Sequence, residues 1–278
     1  MTIIFKEFSS IPLASGYNAR YPLNKSSYNF SGRIHYDDSW SSNKPLIIYL
    51  HGSGAAGYTS NTDPFITGLV NAGYGVFGIR YFNIADSSTA VTPMGYGNVN
   101  SPMFMSFFIQ QAWFVEAAIQ FAKAQFVNGA DTSIKLSNVI YLVGYSVGGS
   151  AAITWSSIAG LVGFSPKTTI KGIVTFGATI AGLGGKKWNN VNRNLASISF
   201  MIQSIQHDII YCYNDLDDYA PPDYSRRLQY SVPRGRKGYF VSMGGVGHVY
   251  DTQLCIDVFN EISLDKPPKF NGNLIIPI

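Results

Sequence analysis

Apolar residues in this chain fall in short unbroken runs, and these runs predict the framework of the fold. Leu46-Ile47-Ile48-Tyr49-Leu50 and Val139-Ile140-Tyr141-Leu142-Val143 are of strand length with no polar interruption. Continuous rather than alternating apolarity predicts strands covered on both faces, as in a parallel sheet. Other stretches carry apolar residues three and four apart. Phe65, Leu69 and Ala72 mark a helix over 64–72, and Phe107, Gln111, Phe114, Ala118 and Phe121 mark a long one over 103–127, which Asn128-Gly129 should stop. Further strands are expected at 74–81, 172–176, 208–213 and 238–243, with helices at 150–161 and 250–262 and another reaching residue 203. Strands alternating with helices define an α/β protein with a mostly parallel central sheet and helices on both faces.

The rest of the chain is less regular. Residues 1–32 mix short apolar pieces with Ser, Asn, Gly and Tyr, and are read as an edge strand or hairpin. Residues 83–102 are rich in Gly, Asn, Ser and Thr without a period, and 179–203 form a second excursion. Both are expected as small lid-like insertions. A length of 278 residues without internal repeats fits a single domain over 1–278, with its core at 44–263 and residues 1–40 as an N-terminal extension or edge strands.

Composition narrows the function classes. Only 13% of residues are charged, about half the usual share, while Tyr, Phe, Asn, Ser and Gly are plentiful. That surface is neutral and polar; it suits an extracellular, envelope or particle-associated setting without deciding the compartment. The net charge of +4 includes no dense basic block, only pairs such as Lys186-Lys187, Arg226-Arg227 and Arg236-Lys237 that read as solvated. A nucleic-acid groove is not expected. Cys212 and Cys255 are too few for a metal knuckle or a disulfide framework, and their apolar surroundings favour buried free thiols, with a single bridge between them as the alternative. The N-terminal residues lack the basic leader and apolar run of a secretory signal, and no stretch reaches membrane-spanning length.

Candidate chemistry sits at the ends of the predicted strands, the edge where open α/β sheets bind ligands. The run ending at Val143 leads into Gly144-Tyr145-Ser146-Val147-Gly148, a G-x-S-x-G between a strand and a helix of small residues. Such a turn is too sharp for side chains at Gly144 and Gly148, and it holds the hydroxyl of Ser146 exposed. A serine hydroxyl needs a positioned base. The four histidines are His35, His51, His207 and His248, of which His248 follows a strand and a Gly-rich turn and precedes the last helix. Asp215, Asp217 and Asp218 cluster after the strand at 208–213. Neither G-x-x-x-x-G-K-[ST] nor a strand-borne G-x-G-x-x-G occurs, and no His, Cys or acidic cluster has metal spacing, so neither cofactor nor metal is expected.

With the elements in this order the chain resembles the α/β-hydrolase superfamily of serine esterases and lipases over residues 44–263. The resemblance implies Ser146 as nucleophile, His248 as base and a carboxylate to orient it. It favours Asp217, four residues before Pro221, over Asp215 and Asp218, although Asn214 and Ala220 depart from the G-x-x-D-x-x-V-P pattern. It also implies an oxyanion hole from the Val147 N–H and from Ser53, with Gly54 as alternative, in His51-Gly52-Ser53-Gly54. His51 then shapes a turn, while His35 and His207 are structural. The activity implied is hydrolysis of a carboxylic ester through an acyl-enzyme, on a short- to medium-chain or carbohydrate-linked ester. Lipase or polyester hydrolase activity, and a non-catalytic binding or structural protein on the same scaffold, are the alternatives.

Overall fold

The computed structural model describes residues 2–12, 30–38, 40, 44–52, 63–80, 103–128, 139–162, 170–178, 207, 209–218, 238–245, 247–249, 251–262 and 275–277. Among these, nine strands form one sheet: β1 (Ile3–Ile11), β2 (Phe30–Asp37), β3 (Leu46–Leu50), β4 (Gly75–Arg80), β5 (Ile140–Tyr145), β6 (Ile170–Phe176), β7 (Ile209–Tyr213), β8 (Gly238–Ser242) and β9 (Ile275–Pro277). Their spatial order is β1-β2-β4-β3-β5-β6-β7-β8-β9. The six strands from β4 to β8 are mutually parallel; β2 at one margin and β9 at the other run antiparallel to them, and β1 pairs antiparallel with β2. Helices α1 (Pro64–Asn71), α2 (Met103–Ala122), α3 (Val147–Val162) and α4 (Thr252–Ile262) cover the sheet.

The unbroken apolar runs are explained by burial on both faces. In β3, Leu46, Ile48 and Leu50 join a core with Phe77, Phe126 and Trp155 under α2 and α3, whereas Ile47 and Tyr49 join Phe65, Leu69 and Leu254 under α1 and α4. Each such side chain stabilises the fold by about 1.5–3 kcal/mol relative to exposure. Two polar side chains in and beside the first core are held by hydrogen bonds. Buried Glu116 accepts hydrogen bonds from Trp155 Nε1 and Gln120 Nε2, each at 2.8 Å. His207 Nδ1 lies 2.8 Å from Ser156 Oγ, and its ring stacks on Trp155.

α1 starts where expected, and several other boundaries differ, each for a local reason. Asp63 caps α1 by accepting from the Phe65 and Ile66 N–H groups, with Pro64 at the first helical position. Burial raises the Asp63 pKa, and those two bonds oppose the rise. The helix expected to run to 127 changes at Lys123 into a π turn closed by Asn128 N–H on Lys123 C=O, and this wider turn seats Phe126 against Phe8 and Phe77. α3 begins at Val147 rather than 150, because Ser150 N–H already closes the first turn on Ser146 C=O. The sheet also extends beyond 44–263, to β1 and β2 on one side and β9 on the other. The insertions expected at 83–102 and 179–203 lie outside the described residues, as does the helix expected to reach 203.

Both cysteines are free and buried. Burial pushes the thiols of Cys212 and Cys255 well up, and the charge of Asp251 adds to it. No helix among the described residues is long and apolar enough to cross a membrane.

Candidate active site

The serine turn is built by close approach. A Cβ at Gly144 would lie 2.5 Å from the Gly148 carbonyl oxygen and from Gly149 N and Cα, and one at Gly148 would overlap the Leu50 carbonyl. Between these glycines Ser146 adopts φ of 53°, the one non-glycine residue among those described with positive φ. Left-handed backbone at a residue with a Cβ is strained, and such strain collects where a side chain must be aimed. The turn is locked on both sides: Ser146 N–H donates to Phe176 C=O at 2.9 Å, and Ser146 C=O receives the Ser150 N–H at 3.1 Å. Val147 heads α3, so its N–H lies among the first helical donors, which have no partner within a helix.

His248 and Asp217 come from the loops after β8 and β7. His248 Nδ1 is 2.7 Å from Asp217 Oδ2, with the Asp217 side chain wholly buried and that of His248 16% exposed. The register that selects Asp217 thus meets the histidine directly. Asp215 does something else: it is exposed, accepts the Ser242 hydroxyl at 3.0 Å and donates its N–H to Gly244 C=O, bracketing the two loops. Asp218 is exposed.

The end of β6 joins the serine to this pair. Phe176 C=O holds Ser146 N–H, and the next residue, Gly177 with φ of 51°, sits under the dyad. A Cβ there would lie 3.0 Å from Asp217 Oδ2 and 3.1 Å from His248 Nδ1. On the other side, Tyr145 donates its hydroxyl to His248 C=O at 2.8 Å, and its ring lies 5.1 Å from the imidazole, tilted by 35°. Asn214 Nδ2 donates to Val249 C=O at 3.4 Å. Sequence reasoning gave Tyr145, Gly177 and Ser242 no role and used Asn214 only as a register mark.

Of the residues expected at an oxyanion hole, Ser53 and Gly54 lie outside the described residues. Gly52, just before them, is already beside the serine: a Cβ there would lie 3.2 Å from Ser146 Cβ. His51 is buried, with Nδ1 2.7 Å from Gly52 O. His35 is buried in β2, its ring 6.5 Å from that of Phe5. Among the described residues no group of three His, Cys, Asp or Glu is placed to hold a metal ion.

Solved structures share this architecture. The chain matches a dienelactone hydrolase from Anabaena variabilis with a TM-score of 0.57 at 10% identity, over 94% of this chain and 96% of that one. Est1E from Butyrivibrio proteoclasticus matches with a TM-score of 0.54 at 14% identity, over 85% and 94%, and has also been solved with ferulic acid bound. A puromycin-hydrolysing peptidase from Mycobacterium tuberculosis matches with a TM-score of 0.55 at 11% identity, over 84% of this chain but 36% of that one. No family model matches the sequence, nor does any curated protein. The chain has the α/β-hydrolase fold, the architecture of esterases and related hydrolases.

Proposed function

We propose that the chain is a single-domain carboxylic ester hydrolase, over 1–278, in which Ser146, His248 and Asp217 act as a triad. The observation that carries this reading is the strained Ser146 turn, hydrogen-bonded to the strand end on which the His248–Asp217 pair rests. Ser146 Oγ attacks the acyl carbonyl carbon while His248 Nε2 takes its proton; Asp217 fixes the Nδ1–H tautomer and stabilises the imidazolium. The oxyanion meets the Val147 N–H and a second donor from Ser53, with Gly54 as alternative, a reading supported by the contact of Gly52 with Ser146. Collapse expels the alcohol, which takes the proton from His248. Water activated by the same imidazole then attacks the acyl-enzyme and releases the acid and free Ser146.

The substrate we favour is a short- to medium-chain or carbohydrate-linked acyl ester. Lipase or polyester hydrolase activity is favoured instead by one observation. Leu216 and Val249, immediate neighbours of Asp217 and His248, are 67% and 42% exposed, an apolar margin that suits a longer or aromatic arm. Initial rates on p-nitrophenyl esters from acetate to palmitate, with methyl ferulate added, separate the readings. A maximum at short chains supports the esterase and one at long chains the lipase. Ser146→Ala is expected to remove turnover in a folded protein; full activity in that variant overturns the mechanism. Wild-type silence across the panel, with no labelling of Ser146 by a fluorophosphonate, leaves a non-catalytic scaffold as the better reading.

A further inference from the structure

We infer that Tyr145 is a positioning residue for His248, tying the histidine loop to the serine turn; the inference rests on the proposed triad. Gly244, Gly245 and Gly247 precede His248, and among the described residues a Cβ at Gly244 or Gly247 would meet nothing within 4 Å. Glycine backbone in open space has many conformations to lose, so the imidazole is placed by cross-chain bonds rather than by the loop's own packing. The start of the loop is fastened at Gly244, whose carbonyl accepts the Asp215 N–H at 2.9 Å and whose N–H donates to Ser242 Oγ at 3.2 Å; nearer the imidazole the bonds include Asp217 on Nδ1, Asn214 on the next carbonyl at 3.4 Å, and Tyr145 on the carbonyl of His248 itself at 2.8 Å.

Tyr145 suits the task because its own backbone is fixed. It is the last residue of β5, paired with Phe176 in β6, and the next residue is Ser146. Its side chain therefore measures the distance from the nucleophile's strand to the base. Space is reserved for the ring: a Cβ at Gly52 would lie 2.8 Å from Tyr145 Cδ1, so the glycine leaves room where any other residue would displace the tyrosine. The ring's tilted contact with the imidazole adds a second restraint, on the plane of the base rather than on its backbone.

Two variants separate hydroxyl from ring. Tyr145→Phe removes only the hydrogen bond and is expected to lower kcat about three- to tenfold with KM within twofold, the size of a lost neutral hydrogen bond. Tyr145→Leu removes the ring contact too and should lower kcat further. A readout independent of turnover is the far-downfield proton NMR signal of the His248–Asp217 hydrogen bond, assigned by its loss in Asp217→Asn. It should shift or broaden in Tyr145→Phe while the melting temperature stays within a few degrees. An unchanged signal and unchanged kcat in folded Tyr145→Phe overturn the inference, and that variant decides the matter even if Tyr145→Leu does not fold. If the wild type hydrolyses no ester but the signal still responds to Tyr145, the positioning stands and the proposed chemistry falls.

Discussion

The turn around Ser146 and the loop before His248 are both glycine-rich, yet glycine serves opposite ends in them. At Gly144 and Gly148 a Cβ would collide with backbone, so the serine turn is defined by crowding among β3, β5 and α3. At Gly244 and Gly247 a Cβ would meet no atom of the described residues within 4 Å, so the histidine loop is defined by the bonds that reach into it rather than by crowding. One half of the site is held by packing, which tolerates almost no change. The other half is held by tethers, each of which can be cut singly. Function in such a site should fail in two distinguishable ways: with the fold at the serine, and without it at the histidine.

Cutting the tether that touches the base has the largest expected effect. Asp217→Asn should lower kcat/KM by about 10³–10⁴-fold, the scale of losing the tautomer-fixing carboxylate, with little change in melting temperature. Asp215→Asn, which touches Ser242 instead, should cost about tenfold or less. Equal losses in the two would dissolve the distinction between the residue that orients the base and the one that brackets the loops. Next in size is the packed half. Gly148→Ala forces backbone apart and should lower the melting temperature by roughly 10 °C or prevent folding, the upper range for overpacking. Gly247→Ala, the same change in open space, should move it by about 2 °C or less. Calorimetry on the pair tests the comparison directly.

The smallest effect lies in the core away from the site and should touch stability alone. Burial, with the charge of Cys255 adding, pushes the Tyr74 pKa up from 10.0 to about 12, and the thiols of Cys212 and Cys255 are raised from 9.0. For each group the unfolded chain loses its proton first, so stability is full below the unfolded pKa and falls as pH rises. The melting temperature should therefore decline from about pH 9 and more steeply between pH 10 and 12. Tyr74→Phe should flatten the upper part of that decline. An unchanged slope would show that Tyr74 is not the group responsible.

The sequence made some of this legible because the controlling physics is local. Runs such as Leu46 to Leu50 report burial on both faces through period alone, and G-x-S-x-G reports a turn whose sterics need only five residues. The choice between Asp215 and Asp217 was harder, since both stand in one pentapeptide and only their long-range partners differ: Ser242 for one, His248 for the other. Tyr145 was in plain view within the motif, but its partner lies 103 residues away, a distance that no periodicity spans. β9 was missed for the same reason. A three-residue strand has no period to read, and it exists only because β8 offers it hydrogen bonds.

That small strand has a bearing on how the molecules meet one another. A sheet margin with free N–H and C=O groups recruits further strands, and intermolecular stacking of that kind is a common route to insoluble protein. Without β9 the margin would be β8, next to the histidine loop. With it, the outermost strand is short and ends at Pro277, which has no N–H to offer a newcomer. At the opposite margin β1 shows exposed Lys6 and Glu7 and slips register between Phe8 and Ile11. Among the described residues, both flanks of the sheet are thus poor templates for the pairing of a further strand.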